Sequence, residues 1–252
     1  MYYTFHDASR TFEHVDAALP QSAPLIDASL HALGLETKDI RLILTSHTHF
    51  DHIGGIAALQ RASGATVAAS PKSATALMEG RPTLDDPQFD IADNAFPAVA
   101  NVRLIDEGET LTLGDVRITA HFTPGHTPGS TTWTWRSCEG NRCVDVVYAD
   151  SLNAVSADSF RFGGTDESAR DRVASFRRSI ETVRELPCDV LLTPHPRFAG
   201  MKAKHAKLFA GDADAFVDTA SCRRYAEAAD RGLARRLAAE GAATSTASSP
   251  SL

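Results

Sequence analysis

The apolar positions of this chain fall into two periods, and the switches between them mark its elements. Leu25, Ile26, Leu30 and Leu33 recur at helical spacing and predict a helix from Pro20 to Gly34. Arg41-Leu42-Ile43-Leu44-Thr45 is a short apolar run of strand length, Ala65 to Ser70 another, and Ser73 to Glu79 a helix. Residues 81–94 carry Pro and Asp without a period and predict an exposed loop near the mouth of any site. A hairpin follows over residues 111–118, turning on Gly114-Asp115. TTWTWRS and VDVVYAD are paired strands across a turn, and Leu191-Leu192 ends one more strand. Val173, Phe176, Ile180 and Val183 stripe a long helix over 166–186, and a second helical stretch covers 213–240. Residues 241–252 are small, polar and aperiodic, and predict a disordered tail behind a single domain over 1–240. Strands in two runs, each flanked by helices, place the chain in the α/β class as a four-layer αβ/βα sandwich.

The strongest chemistry lies just after the strand at 41–45, in His47-Thr48-His49-Phe50-Asp51-His52. His47 and His49 stand two apart, so extended chain projects them to one side, where they can grip one ion. Asp51 and His52 fall at the turn into a helix and point elsewhere, toward a second ion. Imidazole nitrogen and carboxylate oxygen are zinc ligands. Gly54 and Gly55 follow, so the segment is a strand, a tight turn and a helix start. Two more histidines sit in comparable settings. His126 lies in the loop Thr123-Pro124-Gly125-His126-Thr127-Pro128-Gly129-Ser130, and His195 is held between Pro194 and Pro196 at a strand end. His6, His14, His31 and His205 lack any partner pattern and are expected at the surface, with His121 beside the site or exposed.

Composition narrows the partners. A net charge of −7 with no basic stripe argues against nucleic acid. No apolar run approaches the ~20 residues that cross a bilayer. None of the four cysteines falls in a ligand-spaced cluster. Cys138 and Cys143 flank a turn between two strands, where a hairpin disulfide can close in an oxidising compartment. Free thiols in a cytosolic enzyme are the other reading.

HTHFDHIGG, TPGHTPGS and TPHP, in that order, resemble the metallo-β-lactamase superfamily. APLIDASLHALG, GSTTWTWRSC, VVYADSL and ELPCDVLLTPHP are similar to its third subclass, whose ligands are histidines and one aspartate with no cysteine; the likeness runs from about Val15 to about Arg235. The resemblance implies two Zn2+ ions, one on His47, His49 and His126 and one on Asp51, His52 and His195. It implies hydrolysis of the amide bond of penicillins, cephalosporins and carbapenems by a metal-bridging hydroxide that Asp51 orients, and hence antibiotic resistance. It pairs Cys188 with Cys222 and puts the protein in the periplasm. It also turns Ser151 inward toward substrate, with Asn153 on the same side and Asp150 behind. In glyoxalase-like or lactonase relatives an aspartate on that strand bridges both metals instead.

The chain's opening departs from the pattern. Met1 to Asp7 has neither a basic nor an apolar signal region, and about 14 residues precede the match. Ala17 and Ala18 stand where the family has glycine after the aspartate at 16. The expectation is a first sheet shortened on its N-terminal side, with an exposed edge. The rivals to a small-molecule β-lactam substrate are therefore a lactone or thioester hydrolase of the same fold, or an inactive zinc-binding remnant.

Overall fold

The computed structural model describes residues 3–6 and 12–247, with side chains described for 12–243. The strands are β1 (Tyr3–His6), β2 (Phe12–Val15), β3 (Ile40–Leu44), β4 (Thr66–Ala69), β5 (Val102–Leu104), β6 (Thr110–Leu113), β7 (Val116–Phe122), β8 (Thr131–Glu139), β9 (Arg142–Tyr148) and β10 (Val190–Leu192). The helices are α1 (Ala23–Ala32), α2 (Phe50–Ile53), α3 (Ile56–Ser63), α4 (Pro71–Glu79), α5 (Glu167–Glu185), α6 (Met201–Phe209) and α7 (Ser221–Ala247). Two five-stranded sheets form, in the orders β1-β2-β3-β4-β5 and β10-β9-β8-β7-β6.

Alternation along the strands builds the layers. In β3, Ile43 joins a core with Ile26, Leu30, Ile56 and Leu59 of α1 and α3, while its neighbour Leu44 faces Trp133, Tyr148 and Leu192 of the other sheet. In β9, Val147 packs with Phe176, Ile180 and Val183 of α5 and with Leu233 of α7, while Val146 and Tyr148 face the first sheet. Three apolar interfaces between helix, sheet, sheet and helix make the four-layer sandwich. Polar contacts close the sheets at one end. Trp133 Nε1 donates to Thr45 O at 2.9 Å, and Thr131 N donates to Ser46 O at 2.8 Å.

Several elements depart from the pattern read in the sequence. The first two strands escape it because Glu13 and His14 interrupt the apolar positions of β2, yet all four β2 residues are buried. His14, expected at the surface, is therefore an interior residue. Burial lowers its pKa to about 4 and keeps the ring neutral. Leu25 and Leu33 are exposed, so only Ile26 and Leu30 anchor α1. Of the stretch read as helix over 213–240, residues 213–220 are turns and α7 starts only at Ser221, while α6 lies before that stretch and is not among the expected elements. Gly211 at φ 92 and the three aspartates Asp212, Asp214 and Asp218 favour the break. The α7 helix continues through Ala247, past the expected boundary at 240, because Ala242, Ala243 and Ala247 are small but strong helix formers. Residues 248–252 of the expected tail lie outside the described residues.

The glycine substitution noted at 17–18 has a measurable consequence. Ala18 adopts φ 53, in the left-handed region, which costs a residue with a Cβ roughly 1–2 kcal/mol. Its carbonyl accepts from Gly54 N at 2.9 Å. A Cβ at Gly54 would stand 2.4 Å from Pro20 Cδ, and one at Gly55 would stand 2.5 Å from Ala17 O. The turn at 16–20 is thus pressed against the helix start below the histidines and cannot relax. Ala18→Gly should stabilise the protein by about 1 kcal/mol, read as a rise in the urea midpoint at unchanged slope. A lower midpoint would contradict this account of Ala18.

Candidate metal centre

The donors gather at the carboxyl ends of strands, where open α/β sheets place their ligand sites. β3 leads into His47. His49 is still extended (φ −98, ψ 149) and caps α2, which carries Asp51 and His52. The β7–β8 loop brings His126, and the end of β10 brings His195.

His47, His49 and His126 form a near-equilateral triangle with ring centroids 4.8, 4.7 and 4.8 Å apart, each pair edge to face. Asp51, His52 and His195 form a second group. His52 Nε2 lies 3.3 Å from His195 Nε2 and 3.3 Å from Asp51 Oδ2. Within each group the donor atoms lie within 4.8 Å of one another. The groups adjoin through His47 and His52, whose rings are 4.2 Å apart. The structure therefore brings together all six residues singled out in the sequence, in the two sets expected.

Each ring of the first set is held by one nitrogen so that the other is free, and His52 has a carboxylate behind it. His47 Nδ1 donates to Asp150 Oδ1 at 2.7 Å. His49 Nε2 donates to Asp86 Oδ1 at 3.2 Å, and His126 Nδ1 donates to Asn153 O at 3.0 Å. Asp16 Oδ2 lies 3.4 Å from His52 Nδ1. These contacts assign the tautomers and aim Nε2, Nδ1, Nε2 and Nε2 inward, as the outer partners of metal-bound histidines do. His47 Nε2 is buried without a hydrogen-bond partner among the described residues, an orphan that a metal would satisfy. Nitrogens sharing one tetrahedral zinc at ~2.0–2.1 Å stand roughly 3.3 Å apart, which matches the His52–His195 pair. The donor sets fit a metal.

Electrostatics agree. Burial pushes His47 and His126 well below the ordinary imidazole range, so both present a neutral lone pair. Only His52 departs: burial opposes its charge, but Asp16 and Asp51 outweigh that and lift its pKa to about 9, so a metal bound there must displace its proton. Asp51 is held below the carboxylate range: the His52 bond and the neighbouring imidazoles overcome its desolvation. Burial raises Asp150 to about 6. The two sets differ in access. The His47 set is buried, whereas Asp51 and His195 are each 37% exposed.

Ser151 and Asn153 follow β9 in irregular chain, so strand alternation does not govern Asp150 and Ser151. Both are buried, Asp150 bound to His47 and Ser151 with a hydroxyl that bonds no described residue. Asn153 holds His126 through its carbonyl, a role the sequence did not indicate, and its Oδ1 is buried and unpartnered. Tyr225 of α7 clamps the turn: its hydroxyl donates to Asp150 O at 2.8 Å and accepts from Leu152 N at 2.9 Å.

Three supporting groups were invisible in the sequence. Asp86 reaches His49 from the 81–94 loop, which is tied to the 153–164 segment by Ala157 N to Pro87 O (2.9 Å) and Ser159 Oγ to Asp90 Oδ2 (2.6 Å). Asp16 and Tyr225 act from opposite halves of the chain. Their separations in sequence leave no local signal; burial of a lone carboxylate is visible only in the fold. Cys138–Cys143 closes the β8–β9 hairpin, and Cys188–Cys222 joins the start of β10 to α7. Among the described residues no helix is long and apolar enough to cross a membrane.

Comparison with known proteins agrees with this geometry. The model of the metallo-beta-lactamase superfamily matches residues 15–195. The Rm3 metallo-beta-lactamase superposes with a TM-score of 0.91 at 44% identity, over 95% of this chain and 88% of that one. MEM-A1, a subclass B3 metallo-beta-lactamase from a soil metagenome library, does so with a TM-score of 0.91 at 40% identity, over 96% and 90%. The hydroxyacylglutathione hydrolase of Cereibacter sphaeroides is 26% identical over 206 residues, or 81% of this chain, which spans 65% of that relative's length. A strand-end centre of five histidines and an aspartate, carried on a four-layer sandwich, thus coincides with family and structural likeness: the chain belongs to the metallo-β-lactamase superfamily of hydrolases and resembles its subclass B3 members.

Proposed function

We propose that this protein hydrolyses the β-lactam amide bond with two zinc ions, His47, His49 and His126 holding one and Asp51, His52 and His195 the other. When bound, zinc supplies a Lewis acid and lowers the pKa of a water toward ~7. The chain's residues do the rest. Asp51, partly exposed and kept ionised, accepts a hydrogen bond from a water between the two sets and so orients it. The Ser151 hydroxyl is a buried donor with no partner of its own, suited to the carboxylate that β-lactams carry beside the scissile ring, and Asn153 stands two residues on.

One observation favours this reading over thioester hydrolysis. The Asp150 carboxylate bonds His47 Nδ1 at 2.7 Å, so it supports a ligand from behind rather than bridging the two donor sets. The hydroxyacylglutathione hydrolase likeness favours the second reading, a thioester substrate. Two disulfides support an oxidising compartment such as the periplasm. The zinc-loaded protein should turn over a penicillin, a cephalosporin and a carbapenem, lose that activity to a chelator, and regain it with zinc. Turnover of a hydroxyacylglutathione thioester with none of the β-lactams would replace this reading with the second; two bound zincs and no turnover of either would favour the inactive remnant.

A further inference from the structure

A cavity of about 1130 Å³ stands apart from the metal donors, none of which lines it. It lies between α6, the 212–219 turn and one face of α7, and meets the metal centre only at Asn153 and Phe198. Leu152, Leu191, Ala199, Tyr225 and Ala229 make a buried floor. Val155 and Val217 are exposed beside it, at 51% and 36%.

Its charge is opposite to that of the chain. The protein carries −7 overall, yet the cavity is lined by five cations (Arg197, Lys204, Lys207, Arg224, Arg235) against three aspartates. Two of those aspartates are already engaged, Asp214 by Arg142 outside the cavity and Asp218 by Arg224. Among the described residues, Arg197, Lys204, Lys207 and Arg235 form no ion pair, which leaves four cations against Asp212. Lys204 is the most telling. It is half-buried, its ammonium donating to Leu191 O at 3.3 Å and lying 5.9 Å from the Phe216 ring centroid, while the carboxylate that attracts it, Asp218, is already paired with Arg224. A partly desolvated ammonium whose neighbouring carboxylate is shared with an arginine is one that a further anion would stabilise.

On the α7 wall stands Gly232, in mid-helix, where glycine costs roughly 1 kcal/mol against alanine. A Cβ there would meet nothing within 4 Å, so neither the backbone nor the packing demands glycine. What the missing side chain provides is room in the cavity.

We infer that this cavity is a binding site for an amphiphilic organic anion, an apolar chain of fatty-acid class lying on the Leu152–Ala229 floor with its carboxylate among Lys204, Lys207 and Arg235. Its volume, just above the ~300–1,000 Å³ of pockets that hold drug-sized molecules, leaves ample room for such a ligand. The wall residue Asn153 also holds His126, so the occupied cavity would abut a metal-ligand support.

The test is calorimetric titration of the zinc-loaded protein with decanoate and with decanol. Decanoate should bind saturably, and more tightly than decanol. Gly232→Leu should weaken decanoate roughly tenfold or more by filling the cavity, with zinc content unchanged and thermal unfolding no lower than wild type, leucine being the better helix former. The pair Lys207→Glu and Arg235→Glu should weaken decanoate by roughly fivefold, at ~0.5 kcal/mol per exposed pair, and leave decanol as it was. Decanoate bound equally by Gly232→Leu would locate it elsewhere, at the zinc ions for instance, and overturn the proposal. Decanol bound as tightly as decanoate, or no saturable binding, would do the same. So would a wild-type dimer dissociated by Gly232→Leu, which would give the groove to a second copy of the chain.

Discussion

Asp16→Ala should destabilise the protein by about 3–5 kcal/mol, the range for removing one partner of a buried charged network. The carboxylate is fully buried at the end of β2 and serves four groups. Oδ1 accepts Ser46 N at 2.8 Å, Oδ2 accepts Ser46 Oγ at 2.8 Å and Tyr148 OH at 2.6 Å, and His52 Nδ1 lies 3.4 Å away. Alanine would strand two hydroxyls and a backbone amide, each buried orphan costing about 1–3 kcal/mol, less whatever water or repacking recovers. The position joins the two sheets, since Ser46 follows β3 and Tyr148 ends β9. It also aims His52, so the variant should lose zinc from the Asp51 set as well as stability. Asp16→Asn keeps the shape but turns an amide toward at least one donor, and should fall between the two. Urea unfolding followed by circular dichroism, with zinc measured on the same samples, reads both effects. A cost below ~1 kcal/mol would remove Asp16 from its place as the link between sheets.

That link shows how unevenly the molecule can be read from its sequence. HTHFDH, the Pro/Gly loop around His126 and the Pro-flanked His195 are legible because local chemistry fixes them: a strand must end, a turn must follow, and a histidine there faces the seam. The same holds for α5, whose Phe176, Ile180 and Val183 keep one face and are buried. What escapes is set by contacts distant in the chain. Asp150 and His47 are 103 residues apart, Asp16 and Tyr148 132 apart, and Asp86 and His49 37 apart. β2 escapes for a related reason. His14 reads as surface, and only the strands on either side, with α1 and α3 above, make it interior together with Glu13. The shortening expected of the first sheet drew on that same unpatterned stretch, from which β1 and β2 supply two of the five strands.

The largest functional effect should follow from His126→Ala: a fall of about 10³–10⁴ in kcat/KM toward a β-lactam, or ~4–5.5 kcal/mol of transition-state stabilisation, with zinc dropping by one equivalent. Two imidazoles, from His47 and His49, would remain where three stood with ring centroids 4.7–4.8 Å apart. The fold should survive, because Tyr225 clamps Asp150 and Leu152 independently of His126. Unfolding in excess chelator should therefore differ from wild type by no more than ~2 kcal/mol, the cost of a small cavity. His195→Ala should remove the other equivalent. The two ions should also leave unequally during a graded chelator titration. Asp51 and His195 are partly open to water, whereas the His47 set is buried and each of its rings is backed by an acceptor. The Asp51 set should empty first, and His195→Ala should abolish that first phase alone. Simultaneous loss of both ions, or a first phase that His126→Ala removes instead, would reverse the ranking of the two sites.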